Sequence, residues 1–258
     1  MKQKITVVKV GGAIVEDKHH LDELLDHFAA IKGRKILIHG GGRQATKIAS
    51  SLGLESKMVN GRRITDANML NVVTMVYGGL VNKNIVAHLQ ARHTNALGLT
   101  GTDMDLIRSH KRPLKDGIDY GFVGDVEKIN GFALHNIVEQ GIIPVMAPLT
   151  HDGLGNILNT NADTIASETA KALARFYDVT LIYSFEKKGV LNNPADEESV
   201  IPVITREDFN RYVTEGIVAG GMIPKLENAL AAIDNGVRQV IITQATAIDG
   251  KHGTIIKK

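Results

Sequence analysis

The sequence predicts an α/β protein, with a doubly wound, mainly parallel sheet that is sandwiched by helices and divided into two lobes. The first observation behind this prediction is a set of short runs that are rich in β-branched residues and apolar on both faces, which is typical of buried parallel strands. The second observation is that amphipathic helical patterns separate these runs. Strand and helix therefore alternate along the chain, as they do in doubly wound sheets.

The apolar runs predict six strands, which are 5–10, 35–39, 95–99, 142–147, 179–184 and 239–243. The helical patterns predict four helices beside these strands, which are 21–32, 43–53, 162–176 and 224–236. The last helix starts at Pro224 and closes on Gly236, and these residue types are favoured at the first position of a helix and just beyond its end.

A further helical segment, 66–92, is unusually long and contains the pair Gly78-Gly79. Two adjacent glycines weaken a helix but allow another helix to pack closely against it. We therefore expect this segment to form the contact of a homodimer.

The remaining segments are predicted to be irregular or short. Glycines punctuate the alternating segment 121–131, which predicts a small antiparallel hairpin that acts as a lid over a ligand. Segment 192–202 is polar and lacks periodicity, so we expect a loop there. The only credible boundary between lobes lies near 176–178, which gives lobes at 1–176 and 177–258.

The composition excludes several classes of protein. The 258 residues are 43% hydrophobic and carry a formal net charge of +2, with basic and acidic residues interspersed, so no nucleic-acid partner is expected. The chain has no cysteine, which rules out disulfides and thiolate metal sites. No apolar run approaches the ~20 residues that span a bilayer, and no signal-peptide pattern is present, so we expect a soluble cytoplasmic protein without a membrane partner.

Two lysines beside glycine-rich turns are the strongest indication of chemistry. Lys9 ends the first apolar run and precedes Gly11 and Gly12, and a second run is followed by 40–42, which are all glycine. Lys225 lies far along the chain in the segment GGMIPKLENA. Phosphoryl transfer needs fixed cations and backbone N–H donors around the transferring group, so this pattern favours a phosphotransferase. The chain has neither a Walker A motif nor a G-x-G-x-x-G motif.

Several blocks of the sequence are similar to one known family. Along essentially the whole chain, the blocks KVGGA, IHGGG, NGRRITD, LVNKNIV, GFVGDVEKIN, LNTNADTIA and GGMIPKLENA resemble those of the amino acid kinases, and within them the N-acetylglutamate kinases. The resemblance implies the amino acid kinase fold. It also implies that the γ-carboxylate of N-acetyl-L-glutamate attacks the γ-phosphoryl group of ATP, with Mg²⁺ as the second cofactor, in arginine biosynthesis. A carboxylate with a pKa near ~4.3 is already ionised at neutral pH, so this reaction needs no general base.

The resemblance also implies roles for individual residues. The catalytic group consists of Lys9, Lys225, Asp163 and Gly12. The acylglutamate would be held in the first lobe by Gly41, Gly42, Arg63, Asn159 and Asn161. The nucleotide would be held, mainly in the second lobe, by Gly11, Gly12, Ser184, Gly189 and Lys225. No residue is expected to be a metal ligand, because phosphate and water would hold the Mg²⁺, and no chemistry is assigned to the ten histidines.

The chain departs from the family pattern in two places. The family usually has a Thr/Ser-Asp-Val-x-Gly turn where this chain reads SFEKKG, so Lys187 and Lys188 either approach the nucleotide phosphates or lie in a solvated loop. In NGRRITD, Arg62 replaces a residue that is typically leucine. This arginine either pairs with Asp66 or solvent, or it binds a second carboxylate on a longer acyl group such as succinyl.

Three alternatives to an N-acetylglutamate kinase therefore remain. The substrate could be N-succinylglutamate, the enzyme could be another amino acid kinase such as glutamate 5-kinase, or the chain could be a ligand-sensing module that has lost catalysis. The presence of both Lys9 and Lys225 argues against the last of these. Arginine-inhibited members of the family carry an extra N-terminal helix, whereas the first strand here is predicted by Ile5. The expected assembly is therefore a homodimer that arginine does not inhibit.

Overall fold

The computed structural model describes residues 2–59, 61–114 and 116–258. Its strands are β1 Gln3–Val10, β2 Arg34–His39, β3 Met58–Val59, β4 Arg62–Arg63, β5 Ala96–Leu99, β6 Ile107–Lys111, β7 Gly124–Ile129, β8 Ile143–Met146, β9 Leu149–His151, β10 Ile157–Asn159, β11 Tyr177–Phe185, β12 Val203–Ile204, β13 Gln239–Gln244 and β14 Thr254–Ile256. All six predicted strands are confirmed, as β1, β2, β5, β8, β11 and β13.

The α-helices are α1 Gly12–Glu16, α2 Lys18–Ala30, α3 Gly42–Ser51, α4 Ala67–Val73, α5 Asn82–Gln90, α6 Gly131–Glu139, α7 Ala162–Leu173, α8 Arg206–Thr214 and α9 Met222–Asp234. A π-helix, Thr74–Val81, joins α4 to α5, and single 3₁₀ turns lie at Asp103–Asp105 and Ala245–Ala247. The four shorter predicted helices are confirmed as α2, α3, α7 and α9. None of the described helices combines the length and the apolar character that crossing a bilayer requires.

The main sheet has eight strands in the order β12-β14-β13-β11-β1-β2-β8-β5. Every neighbouring pair is parallel except β13 and β14, which are antiparallel. The predicted mainly parallel sheet is therefore confirmed. A separate four-stranded sheet has the order β10-β9-β6-β7, and β3 pairs with β4 in a third, two-stranded sheet.

The core lies on both faces of the main sheet, because successive side chains of a strand point to opposite faces. Ile5 and Val7 of β1 belong to one apolar cluster, which α6, α7 and α9 complete. Val8 and Val10 belong to a second cluster, which is completed by α2, α4 and α5. By the same alternation, Lys9 points to the face that α7 covers.

The predicted boundary near 176–178 coincides with the start of β11 at Tyr177. Strand β11 pairs with β1 along the whole of β1, from Gln3↔Tyr177 to Val10↔Ser184. One sheet therefore runs through both predicted lobes, and the division into 1–176 and 177–258 stays a prediction.

The prediction of a hairpin within 121–131 is wrong. The segment contributes one strand, β7, which pairs antiparallel with β6 from earlier in the chain. The glycines explain why sequence reasoning misplaced the turn. Gly121 has φ +71° and lies before β7, where it bridges to Thr65, and Gly131 begins α6, so neither glycine lies in a turn between two strands of the segment.

The long helix predicted over 66–92 is confirmed, but its middle is not an ordinary α-helix. Asp66 caps its start, since its carboxylate accepts a hydrogen bond from the backbone N–H of Met69 at 2.8 Å. Residues 74–81, which include the Gly78-Gly79 pair, have the wider π-helical turn. Such turns are rare and are frequently found at functional sites.

Candidate functional site

The candidate site lies where three neighbouring strands of the main sheet end. Strands β2, β1 and β11 are adjacent and parallel, and Val10 pairs with both His39 and Ser184 at their carboxyl ends. Ligands of open α/β sheets bind at this edge. A cavity of about 830 Å³ occupies it, and all but one of the predicted site residues line this cavity, the exception being Ser184.

The two glycine-rich turns face each other across the cavity. A side chain on Gly12 would lie 3.7 Å from the backbone nitrogens of Gly41 and Gly42, and one on Gly40 would lie 3.1 Å from the nitrogen of Gly12. A side chain on Gly41 would come within 2.9 Å of the Tyr77 ring. Positions 40 and 41 therefore favour glycine, because a side chain would press on the Gly12 backbone in one case and on the Tyr77 ring in the other, whereas the contact at Gly12 is of ordinary length.

Lys9, Asp163 and Lys225 are brought together in the cavity wall. The Lys9 ammonium lies 2.7 Å from a carboxylate oxygen of Asp163, at ion-pair distance but without an aligned hydrogen bond. Lys225 lies 3.7 Å above the ring of Phe185, and Lys9 lies 5.3 Å from the same ring centroid. The aromatic face attracts both cations. The arrangement therefore holds two ammonium groups near one carboxylate.

Burial and charge both act on Lys225. Its burial lowers the pKa of the ammonium group, the nearby Lys9 lowers it further, and the Asp163 carboxylate opposes the change. The two lysines are thus close enough to repel each other, and Asp163 offsets that repulsion. A site of this kind is suited to a ligand that carries several negative charges.

Arg63 is buried, and it lines the cavity on the side of the second glycine turn. Its guanidinium donates hydrogen bonds to the carbonyl of Gly42 and the hydroxyl of Thr46, both at 2.8 Å, and to the hydroxyl of Ser56. These partners are all neutral. A buried cation whose described hydrogen-bond partners carry no charge is expected to receive an anion from the ligand, and the planar fork of arginine fits a carboxylate.

Asn159 and Asn161 flank the same part of the cavity. The amide of Asn159 donates to the Thr65 hydroxyl at 3.0 Å. The carbonyl oxygen of Asn161 caps α7 by accepting from the backbone N–H groups of Asp163 and Thr164. This cap fixes the start of the helix that carries Asp163.

Of the residues predicted to hold the nucleotide, some line the cavity and one does not. Gly11 and Gly189 line the cavity, and a side chain on Gly189 would come within 2.7 Å of the Thr254 hydroxyl. Ser184 is fully buried, its hydroxyl has no hydrogen-bond partner among the described residues, and it does not line the cavity. Its role in nucleotide binding stays a prediction.

The SFEKKG turn is tied to the loop that follows it. Lys187 pairs with Glu197 and Lys188 pairs with Glu198, and only Lys187 of the two lysines lines the cavity. Segment 192–202 has no regular element, so the predicted loop is confirmed. Arg62 is exposed, lines the cavity, and is not paired with Asp66, whose carboxylate caps α4 instead.

The charge of the lining indicates the class of ligand. Seven Lys or Arg residues and two Asp or Glu residues line the cavity. The described residues contain no group of three or more His, Asp or Glu side chains that could hold a metal ion. The excess of cationic side chains therefore favours anionic ligands.

Two residues of the site were missed by sequence reasoning. Phe185 lies against both lysines, and it is one residue beyond the end of the predicted strand 179–184. Tyr77 is buried against Gly41, and its burial raises its pKa while the nearby Arg63 charge opposes the rise. Both residues are aromatic and lie beside glycine-rich or basic segments. This sequence feature could have identified them as members of the site.

Several known proteins are similar to this chain in sequence or in fold. The chain is 67% identical to a Phocaeicola vulgatus protein named acetylglutamate kinase, over 100% of both chains, and 64% identical to the Parabacteroides distasonis protein of that name, over 98% of both. A solved structure from Streptococcus mutans is 29% identical, covers 98% of both chains and has a TM-score of 0.80. Carbamate kinase of Giardia lamblia bound to AMP-PNP shares the fold, with a TM-score of 0.66 at 16% identity over 100% of this chain and 99% of that one. The sequence profile of the amino acid kinase family matches residues 4–244, and this chain belongs to that family.

Proposed function

We propose that this chain transfers the γ-phosphoryl group of ATP to the γ-carboxylate of N-acetyl-L-glutamate, as a step of arginine biosynthesis in the cytoplasm. The acceptor is the one named for its full-length relatives. The observation that carries the proposal is the cluster of Lys9, Asp163 and Lys225, which lies in one cavity with Arg63. The cluster supplies cations for a transferring phosphoryl group, and Arg63 supplies a second, separate cation for a carboxylate.

The reaction is a direct displacement at phosphorus. An oxygen of the ionised γ-carboxylate forms a bond to the γ-phosphorus while the bond from that phosphorus to the β,γ-bridging oxygen breaks, and ADP leaves with the electron pair. The products are an acyl phosphate and ADP, and no proton needs to move. Catalysis then consists of positioning and charge stabilisation, as in other phosphoryl transfers.

The position of each residue indicates its role in positioning the substrates or in stabilising charge. Lys9 and Lys225 stabilise negative charge on the equatorial and leaving oxygens, while Asp163 holds the two ammonium groups together. Gly12 and Gly41 line the same cavity, and their backbone N–H groups would add hydrogen bonds to the phosphoryl oxygens. Arg63 grips the α-carboxylate, so that the γ-carboxylate points toward the lysines.

Magnesium would enter with the nucleotide. Since Asp163 is engaged by Lys9, the described residues offer no carboxylate cage, and the phosphate oxygens and water would hold the ion. When bound, Mg²⁺ neutralises charge on the β- and γ-phosphates.

The direct test is ADP release with a panel of acceptors. Purified protein is mixed with Mg-ATP and with N-acetylglutamate, glutamate, aspartate or carbamate, and ADP is measured by a coupled assay. We expect turnover with N-acetylglutamate and little with the others. A free amine would attack its own γ-acyl phosphate and cyclise, so acylation protects the product. Faster turnover with free glutamate would contradict the proposal.

A second candidate substrate is N-succinylglutamate, and Arg62 favours it. This arginine is exposed, lines the cavity beside Arg63, and does not pair with Asp66. A second carboxylate on the acyl group would find a cation there. The test compares kcat/KM for the two acylglutamates in the parent and in Arg62→Leu. Loss of a succinyl contact should lower its kcat/KM by about 30- to 100-fold and leave the acetyl value nearly unchanged. If the parent prefers N-acetylglutamate and Arg62→Leu shifts neither value, succinyl is not the substrate.

The assembly is proposed to be a homodimer. Met75 and Leu80 of the π-helix are 56% and 43% exposed, and Leu97 of the edge strand β5 is 40% exposed. A second copy of the chain would cover these apolar side chains, and a two-fold interface is the commonest arrangement.

A further inference from the structure

We propose that His39 and Asn82 are positioning residues that aim the backbone N–H of Gly41, in the second glycine turn, at the transferring phosphoryl group. The inference rests on the proposed function. Neither side chain lines the cavity, and both are buried. They act through the peptide between Gly40 and Gly41.

The contacts of His39 define its protonation state. Its Nδ1 lies 2.7 Å from the carbonyl oxygen of Gly40, and since a carbonyl can only accept, Nδ1 carries the hydrogen. Its Nε2 lies 3.1 Å from the side-chain amide nitrogen of Asn82, which donates to it. The ring is therefore neutral and in the Nδ1–H tautomer. Complete burial, which lowers the pKa of this histidine to about 4, also keeps the ring neutral.

Asn82 can take only one orientation. Its amide nitrogen also donates to the carbonyl of Val145 on β8 at 2.9 Å, so both of its hydrogens are used. Turning the amide over would place its carbonyl oxygen against the Val145 carbonyl, which can only accept. The histidine is thus held by a side chain that is itself fixed to the sheet.

The bond to Gly40 determines where the next N–H points. In a trans peptide the carbonyl and the following N–H point in opposite directions. Because the Gly40 carbonyl is bound to the buried histidine, the N–H of Gly41 points away from it. The nitrogens of Gly41 and Gly42 are the backbone atoms that face Gly12 across the cavity.

The N–H groups of Gly41 and Gly42 have no hydrogen-bond acceptor among the described residues. Gly41 precedes α3 and Gly42 is its first residue, so neither N–H has an acceptor within the helix. With glycine at all three positions, the turn has no side chain of its own to hold the Gly40–Gly41 peptide in place. The hydrogen bond from His39 replaces that missing restraint, and Asn82 maintains the histidine in the tautomer that can donate.

The test uses two substitutions of His39 that preserve different contacts. His39→Asn places an amide nitrogen near the position of Nδ1 and can still donate to Gly40. His39→Gln reaches toward the position of Nε2 and cannot. We expect kcat of His39→Asn to stay within about 3-fold of the parent, and kcat of His39→Gln to fall by about 10- to 100-fold, with the KM of both substrates nearly unchanged. Asn82→Leu should resemble His39→Gln.

Matched controls separate positioning from stability. His27→Asn and Asn84→Leu change exposed residues on α2 and α5 and should leave kcat unchanged. The rates are expressed per folded active site, determined by nucleotide titration, so that partial unfolding does not lower kcat. Equal kcat for the Asn and Gln variants of His39 would overturn the inference.

A second measurement does not depend on activity. The ¹⁵N spectrum of the imidazoles, with the His39 signal assigned by its loss in His39→Asn, should show a neutral Nδ1–H ring at pH 7. A protonated Nε2 would overturn the inference even in an active enzyme. If the parent protein shows no acylglutamate-dependent ADP release, the proposed function fails and this inference fails with it. If the parent is active but the His39 variants do not differ, only this inference fails.

Discussion

At the scale of single residues, the proposed mechanism assigns two lysines to the transferring group and one arginine to the acceptor. We expect Lys9→Ala and Lys225→Ala each to lower kcat by about 10²- to 10³-fold while changing KM little, because the charge that they stabilise develops in the transition state. Steady-state kinetics measures both values. Lys4→Ala, on the same strand as Lys9 but exposed, is the matched control. Normal turnover in either variant would remove the lysine pair from the mechanism.

Arg63 should affect the acceptor and not the nucleotide. In Arg63→Lys a point charge replaces a planar fork, so we expect KM for the acylglutamate to rise by about 10- to 100-fold and KM for ATP to stay within about 2-fold. Separate titrations of the two substrates measure these changes. Equal effects on both would place Arg63 away from the acceptor.

His39 makes the stability of the fold depend on pH. Its pKa is about 4 in the folded protein and 6.5 in its ordinary state, so between these values the unfolded chain binds more protons. Its contribution is therefore complete above pH 6.5 and is lost as pH falls toward 4, by up to ~3 kcal/mol. Urea unfolding at pH 7, 5.5 and 4.5 should show a smaller loss in His39→Asn than in the parent. Identical losses would contradict a neutral buried histidine.

At the scale of elements, a buried lysine on β2 caps the C-terminal end of helix α2. The ammonium of Lys35 on β2 donates to the carbonyls of Phe28, Ala29 and Ile31 at the end of α2, at 2.7–2.9 Å. The last carbonyls of a helix lack partners from a following turn, and of these three only the Phe28 carbonyl also accepts from a backbone N–H in the described residues, that of Ile31 at 3.2 Å. Lys35→Met keeps the apolar stem and removes the donor, so we expect the free energy of unfolding to fall by about 2–3 kcal/mol. The exposed Lys32→Met should change it by less than about 0.5 kcal/mol.

The elements that sequence reasoning predicted correctly are those with strong local patterns. Buried parallel strands such as β1 and β11 are apolar on both faces, which a single sequence reveals. The four-stranded sheet was missed because its two longest strands, β6 (IRSHK) and β7 (GDVEKI), are rich in charged and polar residues and so give no apolar run. The same limit applies to the site. Lys9, Asp163 and Arg63 lie in motifs that resemble those of a family, whereas the contact of His39 with Asn82 depends on tertiary packing.

At the scale of the whole molecule, the exposed apolar side chains on the π-helix and on β5 predict a dimer. Light scattering should give twice the mass of the 27.9 kDa chain. Met75→Glu with Leu80→Glu should shift it to the monomer, since a buried like-charge surface disfavours association. The exposed Leu154→Glu, outside this surface, is the control. A monomer or a hexamer in the parent would contradict the prediction.

The π-helix fixes the length of the chain between two contacts with the glycine turn. Tyr77 packs against Gly41, and Asn82 binds His39 just after the wide turn ends. Removing one residue between them would convert the wide turn toward ordinary helical geometry and rotate everything after it by about 100° around the helix axis. Asn82 would then face away from His39. We therefore expect aligned homologues to have no insertion or deletion within 77–82, even where their side chains differ at these positions.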